Sequence, residues 1–173
     1  LFLFLSFFIN LNVQAGDIKD FQIGGISLND SLSDTFTEKE IKISQASNRL
    51  RNKRSGAYVS FEGWIRNHNE GRHVRRLEYE VYEPIAIKEG ENIIDEAKKK
   101  FDIHHASCIH RSGLLDIGEC AVWVGVSSSH RKDAFEACKF IIDEVKSRLP
   151  IWKKEYYENG DSGWVNCETC SSS

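Results

Sequence analysis

The sequence predicts an α+β fold, a mixed sandwich of mainly antiparallel strands with two main helices, and three observations carry that prediction. Runs that alternate with period two, such as Ala57, Val59, Phe61, Gly63 and Ile65, mark half-buried strands. Two stretches with helical spacing, one opening at Pro84 and one closing at Pro150, mark the helices. Strung together, the elements read β-α-β-β-α-β-β-α-β-β, with no internal repeat and no low-complexity segment.

The totals fit one domain. A chain of 173 residues, 40% hydrophobic and 28% charged, is large enough for a real core. A net charge of −3 gives no global basic character that would argue for nucleic acid. Five cysteines without regular spacing do not make a disulfide framework. No methionine occurs at all, so the sequence is expected to lack its true start.

Taken in order, residues 1–15 (LFLFLSFFINLNVQA) carry an apolar run too short for a bilayer span, which needs about 20 residues. Two readings stay open. One is a signal-peptide core with cleavage after Ala15, since Val13 and Ala15 supply the small residues. The other is an apolar tail from misread upstream sequence. Residues 16–40 are a polar appendage, with a short strand around Phe21–Ile26 and a weak helix around Leu28–Phe36. The domain proper is placed at 41–168, with 169–173 a tail. Ile41 and Ile43 read as a strand. Gln45–Lys53 reads as a short helix whose Arg49, Arg51, Lys53 and Arg54 form a solvated basic cluster. Gly56–Arg66 and Val74–Tyr82 read as a long hairpin about the Asn67–Gly71 turn.

Pro84 opens a helix with Ile87, Ile94, Ala97 and Phe101 inward, and Lys98, Lys99 and Lys100 suit its C-terminal dipole. Ile103–His110 is a strand, Ser112-Gly113 a turn, and the apolar Ala121–Val126 a central strand. Ser129 is the expected N-cap of the next helix. Ala134, Cys138, Ile141, Ile142, Val145 and Leu149 form its buried arc. Arg131 points into that arc, Lys146 lies on its edge, and Phe140 sits on the charged face, which suggests two contact surfaces. Pro150 stops the helix. Ile151–Tyr157 is a strand, Asn159-Gly160 a turn, and Trp164–Cys167 a closing strand.

Three motifs carry no chemistry on this reading. Gly160-Asp161-Ser162-Gly163 matches a serine-protease nucleophile motif, but the chain is too short and helical for that fold, so it reads as a tight turn. Cys167-Glu168-Thr169-Cys170 is half of a zinc site at most. His104, His105 and His110 lie on one strand with no carboxylate or further His at suitable ligand spacing and read as structural, so no metal is expected.

The cations remain. His130 and Arg131 sit at a helix N-terminus, where free N–H groups already favour an anion. Lys146 and Lys153 flank the other end, and Arg66 ends a long strand. Together these residues suit a phosphate and a developing negative charge. A lysine crowded by cations can shuttle protons near neutral pH. Yet Lys146 follows His130 by 16 positions, about 24 Å along a helix. Either His130 serves another purpose, or a second subunit brings its His130 and Arg131 to this chain's Lys146. The second is the expectation: a site shared across a homodimer.

Three stretches add a family resemblance: GAYVSFEGWIRNHNEGR (56–72), CIHRSGLLDIGECAVWVGVSSSHRKDAFEA (108–137) and IIDEVKSRLPIWKKEYYENGDSGWVNCE (141–168). In order and spacing, these resemble the large, catalytic subunit of molybdopterin synthase from about Ile41 to Glu168. The resemblance implies an α/β-hammerhead type of fold. It implies a sulfurtransferase that places two sulfurs on cyclic pyranopterin monophosphate to make molybdopterin, a step of molybdenum cofactor biosynthesis. The sulfur would arrive as the C-terminal Gly-Gly thiocarboxylate of a small ubiquitin-like carrier. A central homodimer with a carrier at each end would give a heterotetramer. No cofactor, nucleic acid, membrane or nucleophilic cysteine is needed, and the expected location is cytoplasmic.

Carried over residue by residue, the family's pterin-site arginine falls on Arg66, with Trp64 and Ile65 beside it. Its His-Arg pair falls on His130 and Arg131, and its helix lysine on Lys146. Its lysine after Pro-x-Trp falls on Lys153, followed by Lys154 and Glu155. Arg66, His130 and Arg131 would hold phosphate and pterin. Lys146 would act beside the thiocarboxylate, with Lys153 as electrostatic support. Residues 1–40 depart from the family. The alternatives are an exported, non-catalytic binding module that keeps the fold, and nucleic-acid binding through Arg49–Arg54.

Overall fold

The structure, a computed structural model, describes residues 21–23 and 40–166. The apolar segment at 1–15, the helix expected around Leu28–Phe36 and the Cys167–Cys170 pair lie outside the described residues.

The strands form two sheets, and two long helices cover one of them. The first sheet has β1 (Phe21–Ile23), β5 (Ile103–His110), β7 (Cys120–Ser128) and β2 (Ala57–Trp64) side by side in that order, every pairing antiparallel. The second holds β3 (His68–Asn69), β4 (Arg72–Val81), β8 (Ile151–Tyr157) and β9 (Gly160–Asn166), with β6 (Gly113–Asp116) also paired to β4. The long helices are α2 (Glu83–Lys100) and α3 (Arg131–Arg148), and α1 (Ile43–Arg49) is a short one. No helix among the described residues is long and apolar enough to cross a membrane.

β7 is central because both of its faces are covered. Val122, Val124 and Val126 face Ile93, Ile94, Ile141 and Val145 of the long helices. Trp123, fully buried, turns the other way onto Ile41, Ala46 and Leu50. A strand buried on both sides reads as a continuous apolar run, as 121–126 does. Gly125 completes the second face, because a Cβ there would stand 2.6 Å from a Leu50 methyl and 2.5 Å from the Trp123 ring.

The fold matches the α+β expectation and corrects it in detail. Ile41 and Ile43 do not form a strand: Ile43 opens α1, and Ile41 packs with Ala46 and Leu50 under Trp123. Two alternating residues cannot specify a period, and the i, i+4 pair Ala46 and Leu50 decides it for helix.

The long hairpin is also replaced. β2 pairs with β7 and β4 pairs with β8, so the two strands belong to different sheets. A bulge between Gly63 and Trp64 ends the β2 pairing. The Ile65 N–H then donates to Glu119 O at 2.9 Å, and the chain crosses to the second sheet. The hairpin that does form is the small one of β3 and β4. Its turn residues Glu70 and Gly71 have φ of 49° and 73°, as a two-residue hairpin turn with both central residues left-handed demands.

Ser129 is not the N-cap of α3. His130 holds that place in an extended conformation, with no side-chain cap bond. The Ser129 hydroxyl instead pairs with His104 Nε2 at 3.2 Å. The predicted arc of α3 is buried, joined by Ala137. Arg131 leaves that arc and is exposed at the first position of the helix, before the buried run opens at Ala134. Phe140 turns out to be an interhelix contact, meeting Phe101 edge to face at 5.7 Å with Lys100 Nζ 4.6 Å from its ring. The Gly160–Gly163 stretch is strand β9 rather than a turn, which falls one step earlier at 158–159.

Candidate active site

Where the two sheets part, a cleft of about 330 Å³ opens. Its floor is apolar: Val74 and Leu77 of β4, Ala121 and Val122 of β7, and Ile142 and Val145 of α3. Its polar wall holds Arg66, Asn69, His110, Lys146, Lys153 and Glu155, and Trp64 and Ile65 stand beside them. Local sequence explains each placement. The backbone of Ile65 is held on both sides, its carbonyl accepting from Gly118 N–H at 2.8 Å, so Arg66 leaves the crossing at the cleft mouth. Pro150 ends α3 and Leu149 turns extended, so the last turn of α3 leaves Lys146 at the rim and the chain re-enters as β8. Strand alternation then brings Lys153 and Glu155 to the cleft and turns Lys154 away.

A buried carboxylate organises the polar wall. Glu155 is only 4% exposed. It accepts from Lys153 Nζ at 2.8 Å, from Asn69 Nδ2 at 2.9 Å and from the Tyr157 hydroxyl. Burial works against its charge, but the Lys153, Tyr157 and Asn69 donors win and hold its carboxyl below the ordinary range. Asn69 Oδ1 in turn accepts from Arg66 at 2.8 Å. One chain of bonds therefore runs Arg66–Asn69–Glu155–Lys153 along the wall. The Arg72 guanidinium sits 3.5 Å over the Tyr157 ring and ties the hairpin to β8.

Of the residues picked from sequence, Trp64, Ile65, Arg66, Lys146, Lys153 and Glu155 come together here. Lys154 does not: its Nζ lies 5.0 Å from the Tyr156 ring centre, over the other face of β8. His130 and Arg131 do not either. Both are exposed at the far end of the unbroken 18-residue α3, about 24 Å from Lys146 by helical rise. His110 lines the cleft, although the sequence reading left it among the structural histidines. His104 and His105 do have structural partners, Ser55 Oγ at 2.7 Å and Asn52 Nδ2 at 3.0 Å. The clue to His110 was its place at the end of β5 beside Arg111 and a turn, where a strand delivers its last side chain to a sheet edge.

The wall can bind an anion and stabilise charge that develops on it, with an apolar floor that keeps water away. Thiolate chemistry has no footing among the described cysteines. Burial pushes the Cys120 and Cys138 thiols up to about 11, and Cys108 higher still. Among the described residues, no cluster of three or more His, Cys, Asp or Glu side chains is placed to hold a metal ion.

Fold and cleft together define an α+β protein whose cleft sets lysine and arginine side chains over an apolar floor. Comparison with known proteins gives the family. The model for the family described as "MoaE protein" matches residues 36–148. The molybdopterin synthase catalytic subunit of Thermoplasma volcanium is 47% identical over 129 residues, covering 75% of this chain and 94% of that protein. That of Bos taurus is 38% identical, covering 78% and 71%. A crystal structure of molybdopterin synthase from Staphylococcus aureus superposes with a TM-score of 0.70 at 39% identity, over 73% of this chain and 92% of that one. The chain belongs to the MoaE family, the catalytic subunits of molybdopterin synthase.

Proposed function

We propose that this chain catalyses the sulfur-insertion step of molybdenum cofactor biosynthesis, converting cyclic pyranopterin monophosphate to molybdopterin with sulfur from a small carrier subunit. The observation that carries the reading is the cleft itself. It gathers Arg66, Lys146 and Lys153 over an apolar floor of a size suited to a small bicyclic or tricyclic ligand. The active unit is assigned to residues 41–168, working in the cytoplasm.

Arg66 holds the phosphate or the polar edge of the pterin. Its guanidinium is preorganised by Asn69, so little side-chain entropy is lost on binding. Lys146, exposed at the rim, meets both the substrate and the incoming thiocarboxylate. It neutralises the attacking sulfur and the oxygen that leaves, and passes a proton as each carbon–sulfur bond forms; water then cleaves the acyl–sulfur bond, leaving sulfur on the substrate and the carrier as its carboxylate. Lys153, fixed by Glu155, supplies positive charge from below. The carrier's thin C-terminal tail enters through the open mouth beside Trp64, which is 66% exposed. His130 and Arg131 act in the site of a second copy of this chain, so a homodimer with two carriers forms the working assembly.

Incubating the purified chain with thiocarboxylated carrier and cyclic pyranopterin monophosphate tests this reading. The expected result is molybdopterin, detected by mass, with the carrier returned as its carboxylate. A folded, dimeric chain that binds carrier and pterin but forms no product would favour the non-catalytic binding module instead.

A further inference from the structure

His130 and Arg131 are exposed, and neither side chain makes a hydrogen bond or ion pair among the described residues. The turn that carries them is nonetheless gripped at three points. The buried Ser128 hydroxyl donates to the His130 carbonyl oxygen at 2.5 Å. The Ser129 carbonyl oxygen lies so close to Gly56 that a Cβ there would stand 2.7 Å from it. The Ser129 hydroxyl pairs with His104 Nε2 at 3.2 Å.

His104 reaches that place through an irregularity in the ladder. Ile103 pairs with Ser128 and His105 with Ser127, so His104 is the extra residue of a bulge at the start of β5. A bulge takes its residue out of the regular alternation and re-aims the side chain. Here the ring spans two loops. Nδ1 meets Ser55 Oγ at 2.7 Å, just before β2, and Nε2 meets Ser129 Oγ, just before α3. A hydroxyl gives or takes a hydrogen bond, so either neutral tautomer satisfies both contacts. One half-buried imidazole thereby joins three stretches distant in sequence.

Side chains that nothing holds directly are aimed by their backbone alone. A misplacement of about 1 Å in a positioned group can cost about a hundredfold in rate. We propose that His104 is a positioning residue of the reaction: clamped to Ser55, it fixes Ser129 and so aims His130 and Arg131 at the cleft of a second copy of this chain. The proposal rests on the reading of a site shared across the homodimer.

Subunit mixing separates aim from general stability, because it reports which cleft a lesion damages. His104→Ala chains, and Ser129→Ala chains as the milder second variant, should lose about tenfold in kcat as pure dimers. Co-refolded with Lys146→Ala chains, each should reach about a quarter of native activity, since half of the dimers are mixed and each mixed dimer holds one intact site. Co-refolded with His130→Ala chains, each should give only the mean of the two pure variants. One cleft of every mixed dimer then lacks the imidazole of position 130, and the other receives it misaimed. The reverse pattern, recovery with His130→Ala and none with Lys146→Ala, would assign His104 to its own chain's cleft and overturn the proposal. Recovery with both, recovery with neither, or native activity in the pure variants would overturn it as well. A reference mixture of Lys146→Ala and His130→Ala chains keeps the two readings apart. If the reference recovers and the His104→Ala mixture does not, the proposal alone falls. If the reference does not recover, the shared site falls and the proposal with it.

Discussion

The two ends of α3 each carry a basic side chain, Arg131 and Lys146, but only Lys146 lines the cleft. At the C-terminal end, Lys146 faces a second sheet, a buried carboxylate, the His110 ring and a lined cleft. At the N-terminal end, His130 is an N-cap with no side-chain cap bond, Arg131 is exposed, and neither lines the cleft. Lys146 is itself exposed at the rim, but the Lys153–Glu155 pair beside it is largely buried and hydrogen-bonded, whereas no such buried pair stands beside His130 and Arg131 among the described residues. The contrast teaches that one end of this helix is organised for its own chain. The other leaves the first-turn backbone N–H groups and the exposed His130 and Arg131 side chains outside the cleft.

If the C-terminal end is the working one, its lysine dominates. Lys146→Ala should lower kcat about a thousandfold, the loss expected for a group that both stabilises charge and moves protons. Lys132, on the same helix but with a side chain 79% exposed and only a long pairing to Glu136, serves as control. Lys132→Ala should change kcat less than about twofold. Single-turnover product formation measures both, and comparable losses in the two variants would erase the contrast.

Acid should unpick the organised end first. An unfolded chain protonates His110 near 6.5, whereas the folded chain, which buries the ring, resists until about 4. The unfolded state therefore gains the proton first as the pH falls. The stability that His110 contributes is complete above 6.5, drains away down to about 4 and is flat below. The total is about 3 kcal/mol, from 1.36 kcal/mol for each unit of pKa difference. Glu155 loses its own contribution lower, from the ordinary carboxylate value of 4.5 downward to its depressed folded one, because the unfolded chain takes up that proton first. Urea midpoints from pH 8 to 4 measure the upper window, and His110→Gln should flatten it.

A smaller effect follows from the bond chain. Asn69→Ala cuts Arg66 from Glu155 and removes one of the carboxylate's donors. A loss of about tenfold in kcat/KM is expected, with the melting temperature nearly unchanged, as for other residues that orient functional side chains. An unchanged kcat/KM would mean that the wall does not need the hairpin.

How much of this lay open in the sequence depended on the range of the interaction. β5, β8 and the buried arc of α3 follow from local alternation and helical spacing, and the structure has them where the pattern puts them. The partner of β2 does not follow. Its register is set by β7, some sixty residues on, and the nearest alternating strand looked the better mate. Ser129 satisfied a local capping rule, but His104 competed for its hydroxyl from another strand. The cations stood out as residue types in a resembling frame. The groups around them did not, since Asn69 and Glu155 are 86 positions apart and His110 joins them only through the meeting of two sheets.

The smallest change in measured rate tests the contrast most directly. A His130→Ala chain keeps its own Lys146, and a Lys146→Ala chain keeps its own His130. If each His130 serves the partner's cleft, a mixed dimer holds one intact site and one doubly damaged site. Random pairing makes half of the dimers mixed, so about a quarter of the native activity should return from two nearly inactive parents. If His130 served its own chain, every site in the mixture would still carry one lesion, and no exchange of subunits could repair it. The mixture would then give no more than the mean of the two pure variants. Denaturing and refolding the chains together, against the same chains mixed only after refolding, separates exchange from simple addition. Recovery confined to the co-refolded sample would establish that the exposed end of α3 completes a cleft it cannot reach within its own chain.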